Sequence, residues 1–330
     1  MKRHGNIFDK IYSMENLELA SKKAQKGKKN YKEVLAFNEN KDYFLKQLQL
    51  SLINKTYQTS EYEIFTKICG KKEREIYKLP FYPDRICQWA IMLQTEKIFI
   101  SHFTTDTYSS IPFRGLHLAL KRLKRKLKND RDGMKYCLKI DVKKYYPNID
   151  HEILKTKLER LFKDKDLLWL FGEIIDSLPN GKGLPIGNYT SQYLSNFYLT
   201  SFDRWIKECK KIKHYFRYMD DICIFSNNKE DLHSLLSEIR EYMTNELKLS
   251  LKGNEQVFPI DSRGVDLLGY VIHPNKIRLR KSIKQKFINK MLKIKRSKQL
   301  TESDTSSIYS YLGWIKHCNG INLTNKYLRR

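Results

Sequence analysis

The sequence predicts an α+β chain in which a small antiparallel sheet is enclosed by helices. Three observations carry that prediction. Residues 214–225, HYFRYMDDICIF, place aromatic and β-branched runs on both sides of adjacent carboxylates, Asp220 and Asp221. That pattern reads as a hairpin with the acidic pair at its tight turn. Residues 135–142, KYCLKIDV, alternate between Tyr136, Leu138, Ile140 and Val142 on one face and Cys137, Lys139 and Asp141 on the other. This is the period of a half-buried strand, with a carboxylate near its end. Elsewhere apolar residues recur at helical spacing, and segregated strands and helices of this kind make an α+β fold.

Taken in order, residues 1–59 predict a helical N-terminal extension. Within it, 42–52 carries Tyr43, Leu45, Leu48 and Leu52 as one stripe, and the lysine-rich 21–32 is a solvated segment that could touch RNA. Residues 64–89 alternate basic and apolar side chains around Lys72, Arg74, Ile76 and Leu79, which suits strands with a charged face. Arg85 reads as structural. From Leu116 the positions 116, 120, 123 and 127 form an apolar stripe, while Lys121, Arg122, Lys124, Arg125, Lys126 and Lys128 cover the rest. Such a helix can pack on the sheet with one face and neutralise phosphates with the other, without reading sequence. Helices are also predicted over 152–162, through Ile153, Leu154, Leu158 and Leu161, and over 229–249, through Leu232, Leu235, Leu236, Ile239, Tyr242, Met243 and Leu247. Residues 275–330 are basic and mostly helical, with Ile308, Tyr311, Leu312 and Ile315 on one side.

The 330 residues carry 63 Lys and Arg against 37 Asp and Glu, a net charge of +26, which implies a polyanionic partner. No apolar run approaches the roughly 20 residues of a spanning helix, and the N-terminus shows no signal-peptide pattern. Six cysteines, at 69, 87, 137, 209, 223 and 318, show no CxxC pairing and no zinc spacing. They read as buried thiols of a cytoplasmic protein. Adjacent carboxylates repel unless a proton or cation intervenes, and the hard ion Mg²⁺ suits oxygen ligands. A solvated Asp-Asp turn is the competing reading. Asp141, at the end of a neighbouring strand, turns the balance toward a site for two metal ions.

Four segments together resemble the motifs of bacterial reverse transcriptases: DVKKYYPNID from Asp141, GLPIGNYTSQYLSNFYL at 183–199, YMDD at 218–221 and LLGYVIHP at 267–274. They occur in the family's order, and the resemblance covers roughly residues 60–320. It implies a right-hand polymerase with fingers over 60–135, a palm with a βαββ antiparallel sheet over 136–275 and a small helical thumb over 276–330. It further implies transfer of dNMP from dNTP to a primer 3′-OH on template RNA. Asp141, Asp220 and Asp221 are the implied catalytic carboxylates, which with Val142 would hold two Mg²⁺ ions. The implied partners are template RNA, the RNA/DNA duplex and dNTPs, with an accessory protein or a second reverse transcriptase subunit left open, and no membrane.

For the substrate, the resemblance implies that Lys72 and Arg74 grip the triphosphate, an ion pair of Arg74 with Glu73 or Glu75 being the competing reading. Arg114, after Phe113, matches the second fingers motif, although Gly115 and His117 stand where Pro and a second Arg are usual. Tyr146 matches the aromatic that excludes a 2′-hydroxyl. Ile186, Gly187, Ser191 and Gln192 belong to the nucleotide-binding loop. Lys252 reads as a surface lysine, with protonation of pyrophosphate as its alternative role. Most of the family carries Gln where Ile186 stands, and the IGNxTSQ form resembles the low-fidelity enzymes of diversity-generating retroelements. Related forms among phage-defence reverse transcriptases, templated or template-independent, are the alternative, and a non-catalytic RNA-binding scaffold is the rival from another class. No RNase H, HNH or zinc signature follows residue 275.

Overall fold

A computed structural model describes residues 3–69, 72–297 and 299–328. Helices Phe8–Tyr12, Met14–Ala24, Lys32–Glu39 and Lys41–Ile53 lead into a two-stranded antiparallel ribbon, β1 (Glu63–Cys69) and β2 (Lys72–Lys78). The long helix Ile86–His102 follows and runs through the main core on Cys87, Ala90, Ile91, Thr95 and Phe99. Next come helix Leu116–Asn129, β3 (Tyr136–Asp141), helices His151–Leu161 and Lys165–Ile175, and helix Tyr189–Tyr198. The hairpin β4 (His214–Tyr218) and β5 (Asp221–Ser226), helix Lys229–Leu247 and β6 (Gln256–Pro259) complete the central part.

The central sheet is antiparallel, in the order β4-β5-β3-β6. Its two faces bury different side chains, because successive residues of a strand point to opposite sides. Leu138, Ile140, Ile222 and Ile224 enter the main core, against Leu154, Leu158 and Leu236. Cys137, Cys223 and Phe225 enter a second core with Leu120, Leu123 and Leu127 of helix Leu116–Asn129. That helix keeps the bounds its apolar stripe predicts; Lys121, Lys124, Arg125 and Lys128 are exposed, while Arg122 and Lys126 are half-buried, on the Thr105 carbonyl and on Asp106.

The second core continues into a three-stranded sheet of β7 (Val265–Leu267), β8 (Tyr270–Ile272) and β9 (Ile277–Leu279) and helices Lys281–Arg296, Glu302–Ile315 and Ile321–Leu328. The β7–β8 turn has Leu268 and Gly269 at φ +53° and +85°. A Cβ on Gly269 would lie 2.6 Å from Trp314 Cζ3 and 2.7 Å from Ile283 Cδ1. Glycine therefore lets the C-terminal helices seat directly on the hairpin.

Three expectations are corrected. Tyr43 is exposed, off the buried stripe of Leu45, Leu48 and Leu52, because two residues before Leu45 it lies on the opposite side of a helix with about 3.6 residues per turn. Ser21, in the stretch expected to be solvated, is fully buried, since helix Met14–Ala24 continues through it. Cys209 is exposed and Cys318 half-buried, so the cysteines are not uniformly interior. No helix among the described residues is long and apolar enough to cross a membrane.

Replacing Gly269 by Ala should destabilise the fold by roughly 1–3 kcal/mol, from left-handed strain and the Trp314 contact. Thermal melting checks this. An unchanged melting temperature would mean that the C-terminal helices do not rest on this turn.

Candidate active site

The ladder between β3 and β5 places Asp141 directly opposite Asp221. Hairpin geometry then sets Asp220 in the β4–β5 turn beside them, behind Met219 at φ +56°. Asp220 is half-buried, and its pKa is pushed up from 3.8 to about 6. Burial is the main cause, and the carboxylates of Asp141 and Asp221 add to it.

Two lysines lie against this charge. Lys252 Nζ is 2.8 Å from Asp141 Oδ2, and its backbone N–H donates to the Asp141 carbonyl at 3.0 Å. Lys139 Nζ sits 3.6 Å from Asp221 Oδ1 and donates to the Asp266 carbonyl at 2.6 Å. Lys252 is exposed, as the sequence reading has it, and its ammonium also reaches the acidic cluster. Val142 bridges to Leu251 with its side chain buried, so its carbonyl is what it could offer a cation.

Among the described residues, no three His, Cys, Asp or Glu side chains form a ready metal cage. The arrangement nevertheless fits Mg²⁺, an ion usually held by one or two carboxylates together with substrate phosphates. Lysine ammonium groups occupy cation positions on Asp141 and Asp221, and Asp220 is short of positive charge. Asp141, Asp220 and Asp221 are the residues that would hold the ions. Bound there, Mg²⁺ would supply Lewis-acid activation of an attacking hydroxyl and charge for a leaving phosphate.

The other expected residues fall into three groups. Tyr146 lies at the site: Ser195 Oγ donates to its hydroxyl at 3.1 Å, and the hydroxyl contacts Met219 Sδ at 3.9 Å. Its pKa is raised, chiefly by burial; Asp220 pushes it further up, while the Ser195 bond and the charge of Arg74 pull it down. Arg74, exposed on β2, is thus within electrostatic reach of Tyr146.

The loop of Ile186 and Gly187 docks on the same strand. The Tyr77 N–H donates to the Ile186 carbonyl at 2.9 Å. Gly187 has φ +137°, and a Cβ there would lie 2.4 Å from the Tyr77 carbonyl, so no larger residue could approach. Ser191 Oγ is buried with no hydrogen-bond partner among the described residues, while Gln192 is exposed.

Arg114 is spent differently from expectation. Its Nη1 donates to the carbonyls of Thr104 at 2.7 Å and Thr107 at 3.2 Å, so it braces the 104–107 turn. The side chain of Lys72 lies outside the described residues. Arg85 is structural as expected, its Nε donating to the Leu79 carbonyl at 3.3 Å.

Sequence reasoning missed Arg217, which is fully buried two residues before Met219 and paired with Asp203 at 2.6 Å. The signal was present: an arginine in the apolar strand HYFRY demands a buried acid. Its partner lies in the short helix Thr200–Arg204, at a spacing no motif announces.

An antiparallel sheet with acidic residues at one end, between a fingers ribbon and C-terminal helices, is the palm of a right-hand polymerase. Telomerase from Candida albicans, in complex with a fragment of telomeric RNA, shares the fold with a TM-score of 0.51 at 12% identity, over 76% of this chain and 55% of that one. Apo telomerase from Candida tropicalis does so at 0.51 and 11%, over 73% and 53%. Identities this low speak for the fold alone.

The model of the family reverse transcriptase (RNA-dependent DNA polymerase) matches residues 70–272, more than half of the chain, and the chain belongs to that family. Protein YkfC of Escherichia coli K12 is 24% identical over 233 residues, 58% of this chain and 61% of its own length. The group II intron-encoded protein LtrA of Lactococcus lactis is 23% identical over 308 residues, 72% of this chain and 50% of its own. The chain thus spans about three-fifths of the length of YkfC and half that of LtrA.

The raised pKa of Asp220 has a definite sign. Folding disfavours its charge, so the penalty is absent below 3.8, grows as pH rises through the interval and is complete above about 6. Without divalent cation, Asp220→Asn should melt higher than wild type at pH 8, and the gap should close by about pH 4. Adding Mg²⁺ at pH 8 should raise the wild-type melting temperature and narrow the gap. A gap independent of pH would contradict the raised pKa of Asp220.

Proposed function

We propose that the protein is an RNA-directed DNA polymerase that transfers dNMP to a primer 3′-OH with Mg²⁺. The observation that carries this reading is the register pairing of Asp141 with Asp221, with Asp220 in the adjacent turn. In it, residues 60–135 act as fingers, 136–275 as palm and 276–330 as thumb, after a helical extension over 1–59. The three aspartates hold the ions. Arg74 and Lys72 reach the triphosphate from the ribbon, and Tyr146 packs under the sugar. The loop of Ile186 and Gly187, with Ser191 and Gln192 behind it, receives the nucleotide. Template RNA and its duplex with new DNA lie along lysine and arginine side chains such as those of helix Leu116–Asn129. Family membership supports this, as does the pairing of Lys252 and Lys139 with the acidic cluster.

Ile186 favours a low-fidelity enzyme of the diversity-generating kind over a faithful one. Gln can donate and accept hydrogen bonds, whereas Ile offers only a stiff apolar surface. Losing one alignment-dependent hydrogen bond removes about 1–3 kcal/mol of discrimination, roughly ten- to hundredfold in error rate. The resemblance to the diversity-generating enzymes implies errors concentrated at template adenines, whereas a phage-defence role predicts cDNA without that concentration.

One experiment tests both levels: extension of oligo(dT) on a defined RNA with Mg²⁺, followed by deep sequencing of the cDNA. Wild type should extend, Asp220→Asn should not, and Ile186→Gln should err roughly tenfold less at template adenines. Extension by Asp220→Asn at the wild-type rate would overturn the polymerase reading. Equal accuracy at adenines and other bases in wild type would overturn the mutator reading alone.

A further inference from the structure

The turn that presents Asp220 is held from beneath by one buried guanidinium. Arg217 gives its Nε to Asp203 Oδ1 at 2.7 Å and its Nη2 to Asp203 Oδ2 at 2.6 Å. Its Nη1 donates to Asn196 Oδ1 at 3.0 Å and to the Met219 carbonyl at 3.2 Å. Asn196 cannot turn away, because its Nδ2 donates to the Ser109 carbonyl at 2.8 Å. Thr107 Oγ1 closes the set on Asp203 Oδ2 at 3.1 Å.

Met219 is the residue this arrangement constrains. It lies in the left-handed region at φ +56°, which side-chain-bearing residues adopt reluctantly. The Arg217 bond to its carbonyl holds that conformation, and the conformation aims Asp220. The same guanidinium grips helix Tyr189–Tyr198 through Asn196. One residue earlier on that helix, Ser195 Oγ donates to Tyr146 and contacts Met219 Sδ at 3.8 Å. A planar fork of five donors can serve Asp203, Asn196 and Met219 together; the single ammonium of a lysine cannot.

We propose that Arg217 is the positioning residue that sets Asp220, and so the metal affinity of the site, by holding Met219 in its left-handed conformation. This rests on the polymerase reading above. The guanidinium touches no substrate in this role; it acts through the Met219 carbonyl. Its effect must therefore appear in the dependence on Mg²⁺ and in kcat, with binding of the primer–template left alone.

The test compares wild type, Arg217→Lys, and Arg217→Lys combined with Met219→Gly. Mg²⁺ half-saturation is read both from cDNA synthesis and from the Mg²⁺-dependent rise in melting temperature. Arg217→Lys should lower kcat about a hundredfold and raise Mg²⁺ half-saturation about tenfold, with KM for primer–template within about twofold. Adding Met219→Gly should recover about tenfold in kcat, because glycine takes the left-handed turn without being held. A merely structural arginine would gain nothing from glycine at 219.

Unchanged Mg²⁺ half-saturation in Arg217→Lys overturns the proposal, as does loss of activity that Met219→Gly does not relieve. Should Arg217→Lys fail to fold, the isosteric Thr107→Val decides. It should raise Mg²⁺ half-saturation about threefold, and an unchanged value overturns the proposal. Failure of wild type to make any cDNA would sink the polymerase reading, while the melting readout would still decide the role of Arg217 in metal affinity.

Discussion

Three carboxylates brought to one end of a sheet repel each other, and much of the surrounding architecture answers that repulsion. The ladder leaves no freedom: Asp141 faces Asp221 by register, and a slip of one residue would send one of them to the opposite face. The register is itself pinned by the two cores, since Leu138 and Ile140 must enter one and Cys137 the other. Repulsion is then moderated by Lys252 on Asp141 and Lys139 near Asp221. Asp220 is left half-buried, and burial, with the two neighbouring carboxylates adding to it, pushes its pKa up to about 6. A site of this kind stores a demand for cations, which a folded domain has no structural reason to maintain.

Positive charge is layered outward from that acidic centre. Lys139 ties β3 to the β7–β8 hairpin through the Asp266 carbonyl, and Asp266 in turn pairs with Arg280 at 2.6 Å. Helix Leu116–Asn129 spends its leucines on the second core and leaves most of its basic side chains outside. The net charge of +26 is thus largely surface charge on elements whose apolar faces are already committed. Arg122 and Lys126 of that helix are engaged, on the Thr105 carbonyl and on Asp106, whereas Lys121, Lys124, Arg125 and Lys128 are exposed, an arrangement that suits contact with phosphates without base readout.

What the sequence made legible followed from local periodicity. Strand β3, the acidic hairpin, the helix starting at Leu116 and the glycine of the IGN loop are each written within a few residues, because alternation, stripe and turn chemistry act locally. Tyr43 shares the helical segment of Leu45, Leu48 and Leu52 yet is exposed, since at about 3.6 residues per turn it falls on the face opposite theirs. Helix Ile86–His102 was hidden because its apolar residues run nearly all round, as expected of a helix crossing a core. Arg114 matched a motif, but the carbonyls it braces come from the tertiary path of the 104–107 turn. Arg217 and Asp203 were illegible as a pair for the same reason. Each is an ordinary charged residue until the fold removes water from both.

The most direct test of the central claim is a crystal of the protein with an RNA template, a DNA primer and a non-hydrolysable dNTP, soaked with Mn²⁺. Anomalous scattering should place Mn²⁺ between Asp141, Asp220 and Asp221, with Lys252 and Lys139 withdrawn from the carboxylates. Manganese bound elsewhere, with both lysines still on Asp141 and Asp221, would contradict it.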